Sequence, residues 1–236
     1  MKEAATVNHH YLLPFFIEAL LLFNIENVLK ILERVNNRFV EPIVTTISRK
    51  QTPFHVLISC LLSLRTKDQT TREASRRLFT IANNPQEILK ISTPELEKLI
   101  YPVGFYRTKA VKIKEICSEL IKTYKCRVPD EIDELLKLNG VGRKTANLVV
   151  TLGYKKPGIC VDTHVHRITN RWGYVKTKNP YETEFALREK LPPEHWLTIN
   201  DLLVTYGQNV CVPVSPKCTV CPVQKYCKKV GVMRHR

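Results

Sequence analysis

Apolar residues recur along this chain at three- and four-residue steps. Ile25, Val28, Leu29, Ile31, Leu32 and Val35 line one face of a helix. The segment FHVLISCLLSL, Phe54 to Leu64, is apolar nearly all round, the pattern of a helix buried on every side. Thr93-Pro94-Glu95 opens another helix, with Thr93 as cap, Pro94 in the first turn, and Glu95 and Glu97 near the positive end of the dipole. Pro129 and Asp130 start one that runs to Leu138 and stops at Asn139-Gly140. Further helices fit Arg143 to Leu152, Thr163 to Trp172, Glu182 to Leu191 and Glu194 to Tyr206. Sustained strand alternation is absent, no unit repeats at a fixed long period, and no tract is of low complexity. The predicted fold class is all-α.

Charge narrows the function. The 236 residues hold 37 Lys+Arg against 22 Asp+Glu, a net +15. That surplus favours a polyanionic partner, nucleic acid ahead of an anionic membrane. The most apolar stretch, YLLPFFIEALLLF from Tyr11 to Phe23, is broken by Pro14 and Glu18 and is shorter than the ~20 residues of a membrane span. It also lacks the charge pattern and cleavage site of a signal peptide. Residues 1–23 read as an N-terminal extension without a legible role, whose removal should leave activity intact. Of eight cysteines, Cys60, Cys117, Cys126 and Cys160 are scattered in mostly apolar surroundings and read as small core residues. With no export signal, disulfides are not expected.

Three stretches carry candidate chemistry. In LNGVGRKTANLVV, Leu138 to Val150, one helix ends, Gly140-Val141-Gly142 turns the chain, and a second helix begins. Glycine supplies positive φ and close backbone approach, and amides at the new N-terminus suit a phosphate. Arg143 and Lys144 add charge. An ordinary αα turn would look similar, but two glycines followed at once by Arg-Lys in a strongly basic chain favour phosphate binding. Asp162, in GICVDTHVHR, precedes an apolar-periodic helix and reads as its N-cap. A carboxylate held there stays ionised and can stabilise positive charge or assist proton transfer. Lys144 reads either as a phosphate contact or, if neighbouring cations and partial burial lower its pKa, as a nucleophile. Spacing does not choose between them. Finally, Cys211, Cys218, Cys221 and Cys227 form C-x6-C-x2-C-x5-C, which suits zinc or an iron–sulfur cluster.

LNGVGRKTAN, VDTHVHR and the four-cysteine run, in that order, closely resemble the endonuclease III family of DNA repair glycosylases. The likeness extends from about Ile25 to Cys227, with PFHVLISCLLS, VGFYRTKA and TYGQNVC as further pieces. It implies a helix-hairpin-helix fold of two helical domains with a cleft between them: a six-helix barrel at 46–156, and a cluster domain joining 24–45 to 157–236. It implies Lys144 as the amine that attacks C1′ of a damaged nucleotide and Asp162 as the aspartate that stabilises the oxocarbenium-like sugar and helps free the amine. Gly140, Val141, Gly142 and Arg143 would hold a backbone phosphate. Cys211, Cys218, Cys221 and Cys227 would ligate a [4Fe–4S] cluster with a structural role, shaping a loop that carries Lys217, Lys225, Lys228 and Lys229 against DNA. No redox step is expected in the base-excision chemistry.

The chain departs from the enterobacterial pattern at SLRTKD, Ser63 to Asp68, where Arg65 replaces a glutamine that fills the gap left by the flipped nucleotide. Arg65 suits that task, and Phe105 falls where a second wedge residue enters the stack. The expected activity is excision of oxidised pyrimidines followed by β-elimination at the abasic site. The expected partner is double-stranded DNA with a damaged base or abasic site, the expected state a monomer in the cytoplasm at the nucleoid, and no membrane partner is expected. A monofunctional mismatch glycosylase is the nearest alternative, but such relatives usually lack the hairpin lysine, and no acidic residue precedes Asp68 in the first helix region. A non-catalytic DNA-binding module is the alternative from another class.

Overall fold

The periodicity at Ile25 forms helix α1, Ile25–Asn36, in the computed structural model, which describes residues 23–40, 42–48 and 52–236. Asn24 caps it by accepting from the Asn27 amide, and Val28, Leu29 and Leu32 bury its apolar stripe. Helix α2 is Ile43–Ser48, and α3, Pro53–Ser63, is buried from Phe54 to Leu62 as its unbroken apolar run requires. Around α3 pack α4 (Asp68–Ile81), α5 (Pro85–Lys90), α6 (Thr93–Ile100) and the long α7 (Tyr106–Tyr124). The α6 cap is Ser92, which accepts from the Glu95 amide, so Thr93 lies inside the helix rather than capping it.

Helix α8 is only Ile132–Leu136, shorter than the sequence pattern predicts at both ends, because Glu131 is still extended and Leu138 already belongs to the turn. Helix α9, Arg143–Leu148, does not continue as α-helix: Val149–Gly153 is a π turn. Then come α10 (Thr163–Trp172), closed by Gly173 in the left-handed region, α11 (Pro180–Lys190) capped by Asn179, and α12 (Ile199–Asn209). The expected helix from Glu194 is a 3-10 turn, Pro193–His195, separated from α12. No strand occurs among the described residues, and none of their helices is long and apolar enough to cross a membrane.

Buried side chains gather into two clusters. The first is built from α2 through the π turn, with Leu57, Ile58, Leu78 and Ile113 at its centre. The second joins α1 to the chain after Ile159, with Trp172, Tyr206, Leu29 and Leu32 among its largest members. Asn36 donates to the Leu202 carbonyl at 2.8 Å, and His195 pairs with Glu26 at 2.7 Å, which fastens α1 to the C-terminal half. Phe23 already belongs there, its ring 5.1 Å from Tyr174 and 5.6 Å from Trp172. The rest of the expected N-terminal extension, 1–22, lies outside the described residues.

Candidate active site

Two helix N-termini face each other across the seam between the cores. On the first side the hairpin turns through Gly140 at φ 86°, a conformation that only glycine adopts without strain. A Cβ there would also press on the Lys112 side chain at 3.0 Å. Gly142 has ordinary extended φ of −93°, and a Cβ on it would meet nothing within 4 Å, so its value is open approach rather than unusual backbone. Val141 differs from expectation. Its side chain is buried in the first core, and its amide donates to the Leu138 carbonyl at 3.0 Å, within the hairpin itself. The first amide of α9 that finds an acceptor in the turn is Ala146, bonded to Gly142 at 2.9 Å. The amides ahead of it, from Gly142 to Thr145, are the ones left for an anion.

Arg143 also departs from expectation. Its guanidinium grips the Glu184 carboxylate of α11 at 2.7 and 2.9 Å and lies over the Tyr181 and Phe185 rings. Glu184 is buried and also receives Arg188 and Asn147. Arg143 therefore bolts the hairpin to α11, across the seam, and is not a spare cation for a phosphate. The cation beside the glycine turn is instead Lys112 from α7, which the sequence reading missed because it lies 28 residues before Gly140.

On the second side Asp162 caps α10. Its Oδ1 accepts from the amides of His164 at 2.8 Å and Val165 at 3.0 Å. The other oxygen, Oδ2, faces Lys144 Nζ at 3.7 Å. One carboxylate is thus held by the helix through one oxygen and left to act through the other. Asp162 is 8% exposed and Lys144 45% exposed, so the amine stands at the open side of the pair. Burial works to lower the Lys144 pKa, but the Asp162 charge outweighs it and holds the ammonium above its ordinary value. This is opposite to the lowered value considered from sequence: the nearest charge is an anion, and Arg143 is turned toward Glu184.

Two cavities meet at this pair. One, about 300 Å³, is lined by Arg143, Asn147, Tyr181 and Glu184. The other, about 200 Å³, is more polar and is lined by Thr45, Ser63, Asp68, Asn200, Asp201 and Gln208. Lys144 and Asp162 line both.

The remaining predicted contacts, Arg65 and Phe105, line one groove with Lys112 and Gly140 of the hairpin side. Arg65 and Phe105 both have left-handed backbone, φ 52° and 59°, and the Arg65 guanidinium sits 5.7 Å from the Phe105 ring centre. Phe105 is 62% exposed, an unusual state for a phenylalanine unless it serves a surface.

Cys211, Cys218, Cys221 and Cys227 line one small cavity near Trp172 and Tyr206. Donors are aimed at their sulfurs: Arg171 Nη1 at Cys211 (3.4 Å), the Tyr206 hydroxyl at Cys221 (2.9 Å), and the Lys229 amide at Cys227 (3.3 Å). Such bonds suit thiolates. Of the other cysteines, Cys60, Cys117 and Cys160 are buried as predicted, while Cys126 is half-exposed with φ 66°.

The HhH-GPD superfamily base excision DNA repair protein model matches residues 58–193, and the model for the iron-sulfur binding domain of endonuclease III matches 211–227. An endonuclease III of Thermotoga maritima is 50% identical over 75% of this chain and 83% of its own length. Some relatives are longer: the chain spans 48% of a chloroplastic endonuclease III homolog of Arabidopsis thaliana, at 43% identity over 74% of this chain. Among solved structures, a non-covalent endonuclease III–DNA complex matches with TM-score 0.78 and 33% identity over 87% of this chain and 94% of its own. A trapped endonuclease III–DNA covalent intermediate with an estranged adenine matches with TM-score 0.72 and 37% identity over 76% of this chain and 84% of its own.

Proposed function

The chain belongs to the endonuclease III family of base excision DNA repair enzymes, DNA glycosylases with lyase activity that carry an iron–sulfur binding domain, and from that premise we propose that Lys144 and Asp162 are its catalytic pair. The observation that carries this reading is the 3.7 Å approach of Lys144 Nζ to Asp162 Oδ2, at the point where both cavities meet.

The resting ion pair leaves little free amine. Entry of a flipped nucleotide changes that by excluding water. Desolvation raises a carboxyl pKa and lowers an amine pKa, so both shifts favour a neutral pair. The freed Lys144 amine then attacks C1′. A C1′–N bond to the enzyme forms as the C1′–N bond to the base breaks; the base leaves with the proton that Asp162 took from Lys144, and the carboxylate so regenerated faces the positive charge on the sugar, then carries a proton from the new C1′–N nitrogen to the ring oxygen. Opening of the sugar ring gives an iminium; loss of a C2′ proton then breaks the C3′–O bond and cuts the strand on the 3′ side. The trapped complex among the structural relatives supports a covalent step of this kind.

The substrate is double-stranded DNA holding an oxidised pyrimidine or an abasic site. The polar cavity with Ser63, Asp68, Asn200 and Gln208 supports a base rich in exchangeable donors and acceptors. Arg65 and Phe105 fill the stack that the base vacates, and the amides from Gly142 onward take a backbone phosphate. The cluster, when bound by Cys211, Cys218, Cys221 and Cys227, supplies a structural tie for the loop. Lys225 and Lys228, exposed on that loop, add phosphate contacts that position without reading sequence. The enzyme acts as a monomer, at the nucleoid.

Borohydride trapping on a duplex with one abasic site tests the assignment. Wild type should yield a covalent adduct and Lys144→Ala none, while Lys144→Gln should keep DNA binding. An adduct that survives Lys144→Ala would move the nucleophile elsewhere. No adduct from folded wild type would favour a monofunctional enzyme, and a weaker affinity with a smaller salt slope in Lys144→Gln would favour a binding module.

A further inference from the structure

The two loops that carry Arg65 and Phe105 come from sequence positions 40 residues apart, yet they touch through backbone. A Cβ on Gly104 would lie 2.5 Å from the Arg65 carbonyl oxygen, so only glycine lets the loops close this tightly. Thr66 joins them. Its hydroxyl donates to the Leu64 carbonyl at 3.1 Å and accepts from the Gly104 amide at 3.1 Å. Beneath it lies Lys109, one turn into α7, with its side chain withdrawn from solvent. Its ammonium donates to the Leu62 carbonyl at 2.8 Å, the Leu64 carbonyl at 2.6 Å and the Thr66 hydroxyl at 3.2 Å. Three donors thus meet three oxygens at the frayed end of α3, where the chain turns into left-handed Arg65.

We propose that Lys109 is a positioning residue that, through Thr66, fixes the Ser63–Thr66 and Val103–Phe105 loops as one double wedge and so sets how the enzyme discriminates the base opposite the lesion. The proposal rests on the reading that Arg65 and Phe105 enter the DNA stack. Lys109 is too deep to touch DNA itself, and it bears no charge partner; no acidic group lines the groove it shares with Leu61, Leu64, Arg65, Phe105, Lys112 and Gly140. Its value lies in what it holds. Burial pushes its pKa down to about 8, which still leaves the third proton in place at neutral pH. Charge-assisted bonds of this kind are stronger than neutral ones, and carbonyls stripped of them are left buried and unsatisfied. Without them, Arg65 and Phe105 would keep their chemistry but lose their common position.

The test uses full-length, cluster-loaded protein with duplexes that place 2-aminopurine, or each natural base, opposite an abasic site or a lesion. Lys109→Met removes the ammonium. Thr66→Val removes the hydroxyl at constant shape, and Thr66→Ser restores it. The expected result is that Lys109→Met and Thr66→Val lose the 2-aminopurine fluorescence rise on binding and flatten the kcat/KM ratio among opposite bases. The loss should be on the order of ten- to a hundredfold for the preferred base, the scale of a misplacement of about 1 Å. Thr66→Ser should recover it. Adduct formation on single-stranded abasic DNA, which needs no wedge, should be unchanged in Lys109→Met and Thr66→Val. If Arg65→Ala and Phe105→Ala leave fluorescence and base ratios untouched, the wedge reading itself fails. If those two respond but Thr66→Val and Lys109→Met do not, the wedge stands and the coupling is overturned. Should Lys109→Met melt early, the Thr66→Val and Thr66→Ser comparison decides alone.

Discussion

Replacing Asp162 by asparagine separates its two tasks. Asparagine caps a helix about as well as aspartate, so the bonds from His164 and Val165 to Oδ1 should survive. What disappears is the charge on Oδ2. At 3.7 Å, unit charges attract by about 1 kcal/mol in full water screening and about 4.5 kcal/mol at an effective dielectric near 20. Lys144 is 45% exposed, so the lower end applies, about 1 to 2 kcal/mol. The sign follows from the direction of the wild-type shift. Asp162 holds the ammonium high, so its loss lowers the Lys144 pKa and enlarges the free-amine fraction below that pKa. On a preformed abasic site, where no base must leave, the acid limb of borohydride trapping should move to lower pH. Excision of a damaged base should instead fall on the order of a hundredfold, because the sugar's developing charge loses its anion in a water-excluded site. The assay is single-turnover kinetics from pH 6 to 9 on both substrates, with melting temperature as the fold control. An acid limb that stays put or moves upward would refute the electrostatic account of the pair.

Three further outcomes follow from the geometry. Gly140→Ala should cost about 1–2 kcal/mol for its left-handed φ and displace Lys112, weakening DNA binding at all sequences; titration against salt on matched and lesion duplexes checks this. Glu184→Gln should lower stability by about 3 kcal/mol in chemical denaturation, since two guanidiniums lose their buried anion, yet raise the salt slope of DNA binding by about one as Arg143 is released. Lys109 is held at about 8 against an ordinary 10.5, so the unfolded chain binds the extra proton between those values and stability should rise with pH across that window, by roughly 3 kcal/mol in all. Lys109→Met should abolish the rise in urea denaturation at pH 7.5 and 10.

What the sequence made legible were local features. Asp162 caps α10 because an acidic residue before an apolar-periodic run has amides to accept, and the positive φ of Gly140 follows from its place at the turn. Four closely spaced cysteines announced a ligand set. The misreadings came from partners distant in sequence. Arg143 looked like a phosphate contact until Glu184, 41 residues away, claimed it. The direction of the Lys144 shift turned on Asp162 standing nearer than any free cation. Lys109 left no trace in the pattern, since a lysine on a helix is ordinarily exposed and its acceptors lie more than 40 residues earlier. The π turn after Leu148 likewise has no local signature; it ends at Gly153, where a Cβ would sit 3.2 Å from Pro53.

The seam between the two cores bears on how the protein is made. Lys144 stands on a helix rooted in the first core, built from a continuous run of chain, whereas Asp162 lies between Val161 and Val165 of the second. That second core needs both α1 and residues as late as Val223. During synthesis the first core can close while the C-terminal portion is still in the ribosome, and the second cannot. A nascent or truncated chain would therefore display the glycine hairpin, and Lys144 without Asp162 folded against it. On the roles proposed for Lys144 and Asp162, strand-cutting competence would arrive last, together with the cluster loop.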